Sequence, residues 1–165
     1  MEQLEFESVV DLFGGTASVS YALKRLGKQV HYNDYLRFNE QVGLALIENQ
    51  ADVARDTTLE AVLAAGDEAS NSSNTSIGFI TQNFSGIYFT EEENRWLDGV
   101  APVIAALPES LERAILWAAL GQAALIKRPY NLFHRANLTM RERNVERSFG
   151  NKVTWDRPFA HYLRR

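Results

Sequence analysis

The chain has 165 residues, 45% of them hydrophobic and 23% charged, with a formal net charge of −4 and no cysteine. That suffices for one compact domain with its own core, and it excludes disulfides, thiolate zinc sites and a cysteine nucleophile within these residues. The charge is unevenly placed: residues 126–165 hold ten basic side chains against three acidic ones, a net +7, which leaves −11 on the first 125.

The N-terminal stretch "MEQLEFESVV" has acids where a signal peptide carries a basic flank. The longest apolar stretch, residues 114–126, is interrupted by Gly121 and Gln122 and suits a core helix better than a membrane span. A cytoplasmic protein with no membrane association is the expectation. The three histidines, His31, His134 and His161, are scattered without the spacing of a metal pair, so no metal site is expected.

In chain order, residues 8–13 form a short apolar run closed by Gly14-Gly15, which predicts a buried strand. Thr16 is a candidate N-cap for a helix whose apolar positions, Val19, Ala22, Leu23 and Leu26, fall on one face, with Gly27 as its C-terminal stop. Residues 29–33 predict a second strand, and a strand-helix-strand unit this short implies a parallel crossover. Helices are expected over 38–48 and 58–65, followed by a solvated loop over the polar segment 66–76. Thr90 followed by Glu93 is a capping-box pattern that starts a helix near Glu91, with Pro102 inside it. A further helix runs over 109–127 and stops before Pro129. The remainder interleaves aromatics with arginines and has no clean period. There is no internal repeat.

The chemistry centres on the first turn. A loop at the carboxyl end of a first parallel strand lies where open α/β sheets bind ligands, and its glycines let a backbone approach without a Cβ in the way. Asp34 lies about 20 residues further on, at the end of the second strand, where an acid accepts ribose hydroxyls. A nucleoside-bearing ligand follows. The dinucleotide fingerprint fits poorly, because "GGTASV" sets Gly14 and Gly15 side by side with no third glycine in register, so a nicotinamide-binding reading is the weaker one. The Asp-x-Phe-x-Gly-x-Gly motif of S-adenosylmethionine-dependent amino-methyltransferases fits "DLFGGTA" except that Ala17 stands in place of the last glycine.

From residue 9 to residue 159 the chain resembles the adenine-N6 DNA methyltransferases of bacterial restriction-modification systems. The resemblance runs in order through "DLFGGTASVSYALKRLGKQVHYND", "GIYFTEEENRWLD", "ALIKRPYNLFHRANLTMR" and "RSFGNKVTWDRPF". It implies an α/β fold, a partial Rossmann-like methyltransferase sheet represented by its first two parallel strands, with a helical lobe. It implies S-adenosyl-L-methionine as cofactor, with Asp11, Phe13, Gly14, Gly15 and Ala17 on the cofactor loop and Asp34 as the ribose-binding acid. Double-stranded DNA is the implied partner, and Arg135, Arg147 and Lys152 are phosphate candidates by charge and position. Strand packing is the competing account of Asp11 and Phe13, and a helix N-cap that of Asp34.

Family members hold a flipped adenine by an Asp/Asn-Pro-Pro-Tyr/Phe loop. No such loop occurs in these residues: Pro102, Pro108, Pro129 and Pro158 are isolated, and Pro129-Tyr130 follows Arg128. The expected organisation is a cofactor-binding unit with its following helix over 1–57, a helical lobe over 58–128 and a basic, aromatic-rich segment over 129–165, all parts of one incomplete domain. The chain is then expected to be a fragment or split subunit that is inactive alone, with a second chain supplying the catalytic half. The alternative is a non-catalytic DNA-binding or assembly subunit with a vestigial cofactor pocket.

Overall fold

A computed structural model of the chain describes residues 5–72, 77–129, 135–146 and 151–164. It is helix-rich, with two parallel strands. The chain divides into two compact units, one of Met1–Ala54 with Pro108–Ala118 and the other of Arg55–Leu107 with Ala119–Arg165. Among the described residues no helix is long and apolar enough to cross a membrane.

In the first unit, strands β1 (Ser8–Asp11) and β2 (Gln29–Tyr32) pair in parallel with Ser8 opposite Gln29 and Asp11 opposite Tyr32. Helix α1 (Ser18–Arg25) connects them and ends as predicted at Gly27. The Gly27 amide bonds the Lys24 carbonyl at 2.9 Å and the Lys28 amide bonds the Leu23 carbonyl at 3.1 Å, the two bonds of a Schellman motif, with Gly27 at φ 77°. Helix α2 (Arg37–Gly43) follows and widens into a π-helical turn over Leu44–Glu48. Lys24 Nζ closes that turn by donating to the carbonyls of Leu46, at 3.1 Å, and of Asn49. The core joins Ala17, Val42, Ala45 and Ile47 to Ala114 and Ala118, with Val30, Tyr32 and Ile115 packed against it.

Three expectations for this unit are corrected. Thr16 does not cap α1: Ala17 takes the N-cap position in the left-handed region at φ 59°, and the Thr16 hydroxyl bonds that of Ser18 instead. The first strand is not buried, since Val10 and Leu12 are each 59% exposed. The apolar face predicted for α1 is also largely bare, with Val19 at 66% and Leu26 at 73% exposure. The two exposure findings share a reason: only two strands are present among the described residues, too few to cover both faces of the layer or its edges.

In the second unit, α3 (Asp56–Asn71) packs on α5 (Glu91–Ala106), with α4 (Phe79–Phe84) beside them. Residues 66–71, expected in a polar loop, continue α3; residues 73–76 of that segment lie outside the described residues. Helix persists there because the interface rewards it. Gly66 sits against the Trp96 ring, and the Trp96 indole N–H donates to Asp67 at 3.0 Å. The capping box at α5 forms as predicted, with the Glu93 amide on the Thr90 hydroxyl at 3.3 Å and the Thr90 amide on the Glu93 carboxylate at 3.0 Å. Helix α6 (Leu111–Lys127) begins in the first unit and ends in the second. The aperiodic remainder contains α7 (Arg135–Leu138), α8 (Asn151–Trp155) and α9 (Phe159–Leu163). Phe159 stacks on Trp96 with ring centroids 5.3 Å apart.

Under this remainder lies a buried charge cluster. Lys127, 1% exposed, has its ammonium 2.9 Å from the Glu93 carboxylate, and it donates to the carbonyls of Trp155, at 2.8 Å, and of Arg157. Arg141 pairs with the same Glu93 oxygen, donates to the Lys127 carbonyl at 2.7 Å and lies over the Trp155 ring.

Candidate functional site

The strand ends converge on the glycine turn. The Gly15 amide donates to Asp34 Oδ2 at 2.9 Å, so the acid at the end of β2 holds the loop at the end of β1. Gly15 has φ 53°, and a Cβ built there would find no atom closer than 4.0 Å, which is open space for an approaching ligand. The Gly14 amide bonds the Asn33 carbonyl at 3.0 Å, and the Ala17 amide closes the turn onto the Gly14 carbonyl at 2.8 Å.

Ala17 accounts for its own departure from the glycine motif. It occupies a backbone region that costs an L-residue about 1–2 kcal/mol, and its methyl is fully buried in the core with Val42, Ala45 and Ile47. The lost glycine is compensated in part by packing.

Asp11 turns one carboxylate oxygen toward α1, accepting the Ser20 hydroxyl at 2.6 Å. Phe13 is 85% exposed, so strand packing does not explain it. Asp34 bonds the Leu36 amide at 2.9 Å, at the start of α2, and the Asn39 side-chain amide at 2.9 Å. It thus ties down both the helix entry and the loop. These donors, Leu36 foremost, then Asn39 and Gly15, hold its carboxyl below the usual aspartate range.

Two residues that the sequence did not single out shape the site. The Tyr32 ring lies between two glycines: a Cβ on Gly14 would fall 2.1 Å from it and one on Gly43 would fall 2.5 Å from it. Its hydroxyl donates to the Gly15 carbonyl at 2.7 Å. Burial, then the charges of Asp34 and Asp11, push the Tyr32 phenol up, so it stays a donor at neutral pH. The other is Asn39. Tyr32 acts across 17 positions, which local pattern does not report, whereas Asn39 lies only five positions from Asp34 and no motif marks it. An open groove of about 970 Å³ runs along the outer side of β2 from Gly27 to Leu36, lined also by Leu44 and Ile47.

Of the phosphate candidates, Arg135 is exposed at the start of α7. Lys152 bonds the Asn144 side chain at 2.5 Å and lies 3.9 Å from the Asp156 carboxylate. Arg147 lies outside the described residues.

Comparison with known proteins bears on this geometry. The sequence profile of the D12 class N6 adenine-specific DNA methyltransferases matches residues 2–148. The chain belongs to this family. It is 32% identical over 134 residues to the Type II methyltransferase M2.HphI of Haemophilus parahaemolyticus, a match over 80% of this chain and 38% of that relative. The chain therefore spans well under half the length of the curated relative it matches. No solved structure matches it. As a D12-class chain with parallel strands on either side of a glycine turn, it is consistent with part of an α/β methyltransferase fold.

Proposed function

We propose that these residues form the cofactor-binding part of a site-specific DNA methyltransferase that modifies the N6 amine of adenine. The observation that supports the reading is the Gly15–Asp34 hydrogen bond, which holds a carboxylate beside an open, left-handed glycine at the carboxyl ends of two parallel strands. Bound S-adenosylmethionine would supply the methyl group on its sulfonium. Asp34 would accept ribose hydroxyl, Gly15 would admit the ligand close to the backbone, and Asp11, Phe13, Gly14 and Ala17 would form the surrounding loop. Such an enzyme works on DNA in the cytoplasm, with Arg135, Arg147 and Lys152 meeting phosphates.

S-adenosylhomocysteine is expected to bind the chain, measured by calorimetry, and Asp34→Ala to weaken it about tenfold to a hundredfold through loss of a charged acceptor. Equal binding by both proteins refutes the assignment of Asp34. If neither binds while DNA binding survives, the non-catalytic DNA-binding or assembly reading replaces this one.

Holding the cofactor is half of the reaction. The amine must also be held in line with the sulfonium, and positioning of that kind supplies much of an enzyme's rate. These 165 residues offer no Asp-Pro-Pro-Tyr loop to accept the amine hydrogens. The proposal therefore includes a partner segment, in the same protein or a second chain, that brings this loop and further strands. The bare Val10, Leu12, Val19 and Leu26 side chains support that part of it. Incubated with DNA and S-adenosylmethionine, the 165 residues alone are expected to form no N6-methyladenine, measured by mass spectrometry of the digested DNA; its appearance would show that the amine is held by residues given another role here.

A further inference from the structure

Asp34 Oδ1 accepts two hydrogen bonds, from the Leu36 amide and from Asn39 Nδ2, whereas Oδ2 accepts that of Gly15, and the Tyr35 amide also favours the charged carboxylate. A carboxylate has about four acceptor sites, two on each oxygen. Oδ1 is therefore saturated, and the free site lies on Oδ2, next to the open space at Gly15. The Leu36 and Gly15 amides hold one oxygen each and both belong to loop backbone, so a second donor on Oδ1 stiffens the carboxylate further against turning about its χ2. Asn39, on the first turn of α2, is the side chain that completes the restraint.

We propose that Asn39 is a positioning residue for the ribose acid: its side-chain amide locks the Asp34 carboxylate so that the vacant Oδ2 site faces the ligand beside Gly15. This rests on the cofactor reading above and deepens it by assigning a residue that the motif does not contain. The lock acts on one carboxylate and leaves the loop bonds of Tyr32 and Gly14 in place. The other ionisable groups around Asp34 are Asp11 on β1, Tyr32 on β2, the adjacent Tyr35, and Arg37 and Glu40 on α2. None forms an ion pair with Asp34 among the described residues, so its hydrogen-bond donors dominate its titration.

The test pairs calorimetry with S-adenosylhomocysteine and a carbon-13 titration of the Asp34 carboxyl in the ligand-free protein. Removing a donor to the charged form raises the pKa of the acid. Asn39→Ala is expected to weaken binding about fivefold, the equivalent of one hydrogen bond, and to move the Asp34 titration to higher pH. Asn39→Gln, which keeps an amide, is expected to recover part of both effects, and Asn39→Asp, which sets a second carboxylate against the first, to exceed the alanine variant in both. A merely structural residue would alter affinity without moving the titration.

Unchanged affinity with an unmoved Asp34 titration in Asn39→Ala overturns the proposal. An Asp34→Ala variant that binds as tightly as the parent overturns instead the assignment of Asp34 as the ribose acid, on which it rests. A parent protein that binds no S-adenosylhomocysteine overturns the cofactor reading, and in either case the role of Asn39 falls with it.

Discussion

Glu93→Gln is expected to destabilise the helical unit by about 3–5 kcal/mol, the cost of breaking a buried ion pair from one side. The substitution is nearly isosteric, and glutamine is itself accepted at the third helical position, so the capping box with Thr90 should survive. What disappears is the single carboxylate facing two buried cations, Lys127 and Arg141. Burial pushes the Glu93 carboxyl up, but the charge of Arg141 and the hydrogen bond and charge of Lys127 outweigh it and hold the group below its ordinary 4.5. A depressed folded pKa means that the unfolded state binds the proton more readily. The contribution is therefore fully present above pH 4.5 and is lost as the pH falls through the lower folded value. The gap between parent and variant in urea midpoint, followed by the fluorescence of the three tryptophans, two of which, Trp96 and Trp155, lie in the helical unit, should be wide at neutral pH and narrow in acid. For Lys127 burial dominates and lowers the pKa despite Glu93, so its cost is relieved only as the pH rises through that lowered value. Adding Lys127→Met to Glu93→Gln should restore much of the loss, because an apolar side chain leaves one fewer uncompensated charge. A Glu93→Gln protein as stable as the parent at pH 7 would mean that the cluster is not buried as described.

Gly99→Ala is expected to cost about 2–3 kcal/mol even though alanine improves helix propensity by about 1 kcal/mol. A Cβ at Gly99 would fall 2.4 Å from the Ala65 carbonyl oxygen and 2.6 Å from the Ala69 Cβ. The clash is with the backbone of α3, which cannot turn aside as a side chain can, so the two helices must move apart. That movement disturbs the neighbouring contact of Gly66 with Trp96 and the burial of Val62 and Val100. A raised urea midpoint would show that propensity outweighs the contact and that α3 and α5 do not meet at this glycine.

The features legible in the sequence were those written in local pattern. The Gly27 stop, the Thr90–Glu93 box and the parallel strand-helix-strand unit each depend on residues a few positions apart, and each formed where expected. The loop and Asp34 were legible as a spacing, and the structure joins them through one hydrogen bond. The role of Tyr32 was not, because its ring is defined by Gly14 and Gly43, 18 positions before it by strand pairing and 11 after it by helix packing. Residues 66–71 misled for a related reason: their small polar composition reads as solvated, yet small residues are what a close crossing of α3 and α5 requires. The apolar stripe of α1 predicts a face packed on a sheet, and among the described residues that face is largely bare.

The basic end of the chain holds charges of two depths, and ionic strength separates them. Salt at physiological concentration screens exposed charges over about 8 Å and reaches buried pairs far less. Lys127 and Arg141 belong to the second kind: counted in the sequence with the basic tail, they are withdrawn from solvent and hold Glu93 and the carbonyls of the segments above them. Arg135 belongs to the first kind and Lys152, half-buried, lies between them. Raising the salt concentration would therefore strip counterion-driven contacts with a polyanion from the surface cations, while the internal pairs that shape this end of the chain keep their strength. Any attraction to a polyanion and the architecture that would present it fall to different basic residues of this end of the chain, and could be altered one without the other.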